Sequence, residues 1–199
     1  MTDVALVCGG AGALGSAIVE TLRARGDDVV VADKDTVDLT DPEAVEAFWE
    51  RLAERPRWVV NAAGGFRPGT VAETEPDDVR FLTELNFDTA WWSCRAAARR
   101  LPDGGGIVNV AARAGLTGGN GSAAYAVTKA AVVRLTQVLA LELAERRIRV
   151  NAVVPALIDT PANRAHGITG GTPPEEVAAT VAFVLSDDAH AVTGAVIPV

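Results

Sequence analysis

Short apolar runs alternate with longer amphipathic segments along most of the chain. The runs are rich in valine and end at glycine, asparagine, aspartate or proline, which is typical of buried strands in a parallel sheet. Between them, apolar positions recur with the spacing of a helix. The runs that we interpret as strands are residues 4–8, 29–32, 58–60, 107–111, 148–154 and 194–199.

Strands that alternate with helices predict an α/β fold with a parallel sheet and right-handed crossovers. We expect a doubly wound, Rossmann-type sheet of six or seven strands with helices on both faces. The count is open because only residues 34–37 separate the second strand from Asp38 and Leu39. A parallel crossover needs a dozen or more residues, so a third strand here is very short or absent. No linker or repeat interrupts the chain, and residues 1–199 are expected to form a single domain.

Turn and capping residues bound the predicted helices. The first follows a glycine-rich turn and ends at Gly26, and the second opens with a capping box at residues 40–43. Two long helices are expected at residues 76–100, with an internal Asn86, and at residues 122–147. The last helix opens with a second capping box at residues 172–175 and runs to about Leu185.

Composition excludes several classes of function. The 199 residues are 49% hydrophobic and carry a net charge of −8, so a basic surface for nucleic acid is not expected. No run of eighteen uncharged apolar residues occurs, so we expect no membrane span. The N-terminus lacks a basic region and a cleavage site, which favours the cytoplasm. Cys8 and Cys94 are expected to be buried free thiols, and no metal site is predicted.

The turn after the first strand has the composition of a dinucleotide-binding turn. Residues 9–15 read Gly-Gly-Ala-Gly-Ala-Leu-Gly and lie between a strand and a helix. Glycines let a pyrophosphate approach the backbone, and the helix N-terminus offers free N–H groups and a positive dipole. A plain tight turn is the alternative. The candidate cofactor contacts in this segment are Gly9, Gly12, Ala13, Leu14 and Gly15.

Asp33 at the end of the second strand favours NAD over NADP. A carboxylate about twenty residues after the glycine turn accepts hydrogen bonds from the ribose hydroxyls of NAD and repels a 2′-phosphate. Lys34 follows and softens this preference, and a solvated strand-end carboxylate is the alternative interpretation. Asp38 and Leu39, which pass the expected adenine site, are further candidates for cofactor binding.

Tyr125 and Lys129 are the candidate reactive pair. They lie four residues apart on a predicted helix and therefore share one face. A fixed cation beside a phenol lowers its pKa, so we expect Tyr125 to be an acid/base near neutral pH. Tyr125 is the only tyrosine, and Lys129 is one of two lysines against sixteen arginines. An ordinary pair on a helix flank is the alternative.

Taken together, these motifs resemble the short-chain dehydrogenase/reductase family over nearly the whole chain. The resemblance implies that Tyr125 exchanges a proton with the substrate oxygen, that Lys129 holds the nicotinamide ribose, and that Asn86 positions a water. It also implies contacts from Pro155 and Thr160 to the carboxamide. The element after the third predicted strand, similar to the family's Asn-Asn-Ala-Gly, comprises Asn61, Ala62, Ala63 and Gly64.

The chain departs from the family pattern at the substrate site. Ala112 stands where the family usually has a catalytic serine, so a hydrogen bond to the substrate oxygen is lost unless Arg113, Thr117 or Ser122 supplies it. Dihydropteridine reductases also lack this serine, and the chain is similar to them at residues 9–16, at Asp33 and at residues 63–66.

Three functions follow from the resemblance. The favoured one is an NAD(H)-dependent oxidoreductase acting on a small carbonyl or alcohol; a quinonoid dihydropteridine reductase-like activity and a non-catalytic dinucleotide-binding protein are alternatives. Binding of a flavin or methyl donor fits Tyr125 and Lys129 poorly. Family habit and the apolar helix 122–147 predict a homodimer or homotetramer through the two long helices. His166, in the expected lid, is a weaker candidate for substrate contact.

Overall fold

The computed structural model describes residues 2–165 and 167–199, so His166 lies outside the described residues. Its centre is a parallel sheet of six strands in the order β2-β1-β3-β4-β5-β6. The expected α/β architecture is confirmed. The strands are Val4–Cys8 (β1), Asp28–Ala32 (β2), Trp58–Asn61 (β3), Gly106–Val110 (β4), Arg149–Val154 (β5) and Val196–Pro198 (β6).

Helices cover both faces of the sheet. The helices are Ala13–Arg25 (α1), Pro42–Glu50 (α2), Pro76–Leu82 (α3), Thr89–Arg100 (α4), Ala114–Thr117 (α5), Ala123–Glu142 (α6), Pro161–Ala165 (α7) and Pro174–Leu185 (α8). Helices α1 and α8 pack in one core cluster, while α2, α4 and α6 pack in the other. Alternate strand residues enter the two clusters, as Leu6 and Val7 do, because successive side chains point to opposite faces.

The chain between β2 and α2 forms no strand among the described residues. Asp38 and Leu39 lie in an irregular connection that leads to Pro42 of α2. Buried Val37 and Leu39 anchor this connection to the core. The open alternative of six or seven strands therefore resolves to six in the described chain, because too few residues are present for another crossover.

The predicted helix 76–100 is not α-helical throughout. Residues Thr83–Asp88 form a π-helical turn between α3 and α4. Asn86 lies in this turn and is 1% exposed, and its side-chain amide bonds the backbone of Gly65. Widened turns of this kind recur at functional sites, where they re-aim a side chain.

Three predicted helix ends differ from the structure. Helix α6 ends at Glu142, before a short 3₁₀ turn and the left-handed Arg147, instead of reaching residue 147. Asp41, rather than Thr40, caps α2 by accepting a hydrogen bond from the Glu43 N–H. Pro173, rather than Thr172, is the N-cap of α8, and no side chain caps this helix; the Thr172 backbone N–H and carbonyl bond Leu157 and Asp159.

Helix α6 is the only described helix long and apolar enough to cross a membrane by composition. A buried core helix passes the same test. Here α6 packs against β5 and β4 and buries Val132, Leu135 and Leu139 in the core. Its opposite side leaves Val127 and Leu141 70% and 81% exposed, respectively.

Candidate active site

A cavity of about 580 Å³ opens at the carboxyl ends of the first three strands. The strand order reverses here, because β2 and β3 lie on opposite sides of β1. Ligands of open α/β sheets bind at such a switch point. The cavity is lined by Gly9, Ala11, Gly12, Asp33, Lys34, Val37, Asp38, Leu39, Thr40, Ala62, Ala63, Gly64, Leu85 and Thr89.

The glycine turn is shaped by close backbone approach. Gly9 has φ of +81°, and a Cβ on it would lie 2.5 Å from the Ala63 nitrogen. A Cβ on Gly15 would collide with the Gly9 carbonyl oxygen. Gly12 is the N-cap of α1, whose first turn holds no acidic residue. The first N–H groups of a helix have no intrahelical acceptor, so Ala13, Leu14 and Gly15 present donors beside the cavity without lining it.

Asp33 is held at the cavity wall by two backbone donors. Its carboxylate oxygens accept hydrogen bonds from the Ala11 N–H at 2.9 Å and from the Lys34 N–H at 2.8 Å. The carboxylate is thus tied to the glycine turn and retains lone pairs for a ligand. The Asp38 carboxylate accepts hydrogen bonds from the Thr40 hydroxyl and backbone N–H, and these bonds lower the pKa of Asp38.

The element after β3 divides between the cavity and the core. Ala62, Ala63 and Gly64 line the cavity. Asn61 does not; it is buried, and its side-chain nitrogen donates to Asn109 Oδ1 at 2.7 Å and contacts Cys94 Sγ at 3.3 Å. Both cysteines are free and buried, as expected, and burial raises their pKa values to about 11 for Cys8 and about 12 for Cys94.

Asn86 and Lys129 meet behind Gly64. The Asn86 Oδ1 accepts from the Gly65 N–H at 2.9 Å, and its Nδ2 donates to the Gly65 carbonyl at 3.1 Å. Lys129 Nζ donates to the Val110 carbonyl at 3.1 Å. A Cβ on Gly64 would lie 2.8 Å from Asn86 Oδ1 and 3.0 Å from Lys129 Nζ. Gly64 thus lines the cavity with Asn86 and Lys129 directly behind it, neither of which lines the cavity itself.

Burial changes the protonation of the reactive pair. Lys129 is 5% exposed, and burial lowers its pKa from 10.5 to about 8. Burial raises the pKa of Tyr125 above 10.0, and Lys129 does not offset this rise. The expectation that Lys129 lowers the pKa of Tyr125 is therefore wrong in this structure. The reason is burial of the phenol, which has no hydrogen bond to any residue in 2–165 or 167–199, while the Lys129 ammonium bonds the Val110 carbonyl.

The Tyr125 ring packs against an aromatic neighbour. The ring centroids of Phe66 and Tyr125 lie 5.1 Å apart at an interplanar angle of 80°, an edge-to-face pair. Phe66 follows Gly65 in the loop after β3 and is 54% exposed. No pattern in the sequence predicts this ring pair.

Ala112 is buried, and two of the three candidate substitutes for a serine have hydroxyls engaged elsewhere. The Thr117 hydroxyl donates to the carbonyls of Arg113 and Gly118, and the Ser122 hydroxyl donates to the Gly119 carbonyl. Arg113 is exposed. None of these three side chains therefore offers a free, buried donor in place of the missing hydroxyl.

Pro155 and Thr160 lie outside the cavity lining. Pro155 ends β5, and its carbonyl accepts the Arg113 N–H at 2.9 Å. Thr160 Oγ1 accepts the Asn163 N–H at 3.2 Å at the start of α7. Sequence reasoning missed Leu85 and Thr89 in the cavity lining, because their approach depends on the π-helical turn. No group of acidic, cysteine or histidine side chains suited to a metal occurs in the described chain.

Comparison with known proteins places this chain in a family. A family model described as enoyl-(acyl carrier protein) reductase matches residues 16–199. The chain is 34% identical to a meso-2,3-butanediol dehydrogenase from Serratia marcescens, over 98% of this chain and 92% of that protein. The chain belongs to the short-chain dehydrogenase/reductase family.

Other relatives agree with this assignment. A 3-oxoacyl-[acyl-carrier-protein] reductase from Pseudomonas aeruginosa is 32% identical over 92% of this chain and 79% of its own length. A solved oxidoreductase of the same family from Burkholderia thailandensis, 27% identical, superposes with a TM-score of 0.89 over 100% of this chain and 91% of its own. The butanediol dehydrogenase alignment spans 233 positions, more than the 199 residues here, so that relative carries segments that this chain lacks.

Proposed function

We propose that this protein is an NAD(H)-dependent oxidoreductase that interconverts a small carbonyl compound and its alcohol. The observation that carries the proposal is the closeness of Gly64, which lines the cavity, to buried Asn86 and Lys129: a Cβ on Gly64 would lie 3.0 Å from Lys129 Nζ. A dinucleotide-binding protein without chemistry has no need of a buried lysine at that point, since burying the amine is costly.

The residues around the cavity fit a dinucleotide. The glycine turn and the first turn of α1 offer backbone N–H groups to a pyrophosphate, in a place where a side chain at Gly9 or Gly15 would collide with backbone. Asp33 would accept hydrogen bonds from the ribose hydroxyls, and its negative charge would repel the 2′-phosphate of NADP. When bound, the nicotinamide supplies or accepts the hydride. Pro155 and Thr160 would approach the carboxamide.

Tyr125 is the proposed acid/base, and its raised pKa favours the acid role. The phenol keeps its proton at neutral pH, so it is ready to donate that proton to a substrate carbonyl oxygen. Lys129, with a pKa of about 8, would hold the nicotinamide ribose one helical turn from the phenol. Asn86 would support the lysine from the π-helical turn.

The substrate is proposed to be a ketone or secondary alcohol. The relatives are a meso-2,3-butanediol dehydrogenase and a 3-oxoacyl-[acyl-carrier-protein] reductase. Their names favour a carbonyl compound over a quinonoid pterin as the substrate. Ala112 offers no hydroxyl to the substrate oxygen, so Tyr125 is its main proton donor. We also propose a homodimer or homotetramer through α4 and α6, because Trp91, Val127 and Leu141 are exposed there.

The decisive experiment compares wild type with Tyr125→Phe. Stopped-flow loss of NADH absorbance with a panel of small ketones is expected in the wild type and is expected to fall by at least about a hundredfold in the variant. NADH binding, followed by fluorescence, should be nearly equal in both. If both proteins bind NADH and neither turns over, the proposed activity on small ketones is wrong.

Cofactor choice needs a separate titration. We expect NADH to bind the wild type more tightly than NADPH, because the Asp33 carboxylate faces the cavity. Asp33→Asn should weaken the binding of NADH and narrow the difference in affinity between NADH and NADPH. Asp35→Asn serves as the control, because Asp35 is exposed and does not line the cavity. Tighter NADPH binding by the wild type would overturn the role given to Asp33.

A further inference from the structure

The loop that follows Gly64 is fixed at both of its ends. At Gly65, the backbone N–H and carbonyl both bond the side-chain amide of buried Asn86, at 2.9 and 3.1 Å. At Gly69, the N–H donates to the Gly121 carbonyl at 2.8 Å, and the carbonyl accepts the Ala123 N–H at 2.9 Å. Residues 65–69 therefore form a short bridge between the π-helical turn and the start of α6.

This bridge holds the first turn of α6, the helix that carries Tyr125. The N-cap residue of α6, Ser122, makes no side-chain cap bond, and the Gly69 carbonyl satisfies the first helical N–H at Ala123. Gly69 is confined as well, since its φ is +152° and a Cβ there would lie 2.7 Å from Thr74 Oγ1. The start of α6 is thus set by the loop rather than by its own capping residue.

Phe66 is the side chain that links this bridge to the phenol. It forms the edge-to-face pair with Tyr125 at 5.1 Å while remaining 54% exposed. The phenol oxygen is bonded to the Tyr125 ring, so we expect a molecule that takes its proton to come near Phe66. An exposed aromatic face at that distance is a surface on which an apolar substituent gains from burial.

We infer that Phe66 is a positioning residue for Tyr125 and forms the apolar wall of the substrate position. The inference deepens the proposed function, on which its kinetic part rests. The wall selects carbonyl compounds that carry a flat apolar group beside the reacting carbon. By holding the Tyr125 ring, Phe66 restricts the reacting groups in place of the hydrogen bond that a serine at position 112 would make to the substrate.

The first test reads Tyr125 without any turnover. Because the chain has a single tyrosine, protein labelled with ¹³C-tyrosine gives one set of ring resonances. Phe66→Ala should shift and broaden these resonances, because the neighbouring ring and its restraint are lost. Phe66→Trp should keep them sharp. Phe183→Ala is the matched control, since Phe183 is 56% exposed on α8, across the sheet from α6. Unchanged resonances in Phe66→Ala would refute the positioning role.

The second test separates kcat from KM with two diones. The probes are diacetyl and its analogue in which a phenyl ring replaces one methyl group. Phe66→Ala should lower kcat for both about three- to tenfold, the scale of one lost aromatic pair. It should raise KM about tenfold for the phenyl dione alone. Phe66→Trp should restore kcat and KM to near the wild-type values. If Phe66→Ala changes KM equally for the two diones, Phe66 does not form an apolar wall of the substrate position.

Failure of the proposed function remains distinguishable from failure of this inference. If the wild type reduces neither dione, the proposed activity on such carbonyls is contradicted. The phenyl dione should still shift the Tyr125 resonances of the wild type more than diacetyl does, and this difference should vanish in Phe66→Ala. If the two diones shift them equally, Phe66 is not a wall of the substrate position.

Discussion

Replacing Lys129 by methionine is predicted to stabilise the protein while abolishing its activity. The amine is buried, and its pKa falls from 10.5 to about 8 on folding. At about 1.4 kcal/mol per pKa unit, keeping this cation in the folded protein at pH 7 costs on the order of 3 kcal/mol. Methionine has a similar length and no charge, so this cost disappears.

The gain is reduced by the bond that the lysine makes. Without the ammonium, the Val110 carbonyl loses its 3.1 Å donor, which costs about 1 to 2 kcal/mol. The expected net stabilisation at pH 7 is therefore about 1 to 2 kcal/mol. For a chain of this length, that corresponds to a rise in Tm of roughly 5 °C.

The pH dependence makes the test specific. The folded pKa is lower than the unfolded pKa, so the cost is fully present below about pH 8 and vanishes as the pH rises towards 10.5. The advantage of Lys129→Met should consequently shrink over that range and reverse above it. Urea unfolding followed by circular dichroism, at several pH values, measures the difference.

The only other lysine supplies the control. Lys34 is exposed at the cavity rim, so Lys34→Met should change the free energy of unfolding by less than about 0.5 kcal/mol at any pH. If Lys129→Met is less stable than the wild type at pH 7, burying the amine costs less free energy than its hydrogen bond contributes. The reasoning about the buried amine is then wrong.

Tyr125, Gly64 and Arg149 each give a further prediction. An absorbance titration of tyrosinate, which reports Tyr125 alone, should have its midpoint above 10.0; a lower midpoint would mean that Lys129 governs the phenol. Gly64→Ala should lower kcat/KM at least about tenfold with NADH still binding, because its Cβ would press on Asn86 and Lys129; an unchanged rate would contradict this crowding. Arg149→Met should lower the free energy of unfolding, measured by urea titration, by about 3 kcal/mol, because Arg149 donates to four carbonyls near the end of α8. Arg134 is exposed, so Arg134→Met should leave the free energy of unfolding nearly unchanged.

Much of the fold was predictable because its signals are local. The runs at residues 4–8 and 29–32 are apolar and end at turn residues, so their strand character does not depend on distant contacts. The glycine turn and Asp33 could be assigned to one cavity, because carboxyl ends of parallel strands meet at one edge. Helix ends were less predictable: Thr40 and Thr172 carry capping signals but use their polar groups elsewhere.

The site itself depended on contacts that no local pattern encodes. Asn61 belongs to a motif that resembles a cofactor element, yet its amide bonds Asn109 in the core. The π-helical turn that brings Asn86 to Gly65 lies inside a segment whose pattern is that of an ordinary helix.

The sequence by itself determined the alternation of strands and helices, the glycine turn, and the placing of Tyr125 and Lys129 on one helical face. Spacing along a chain settles such features, because they follow from the period of a helix or strand. Only the tertiary structure decided the protonation of the pair. Burial acts on each group through its surroundings, so it lowers the pKa of Lys129 and raises that of Tyr125, and neighbours four residues apart in sequence need not govern each other.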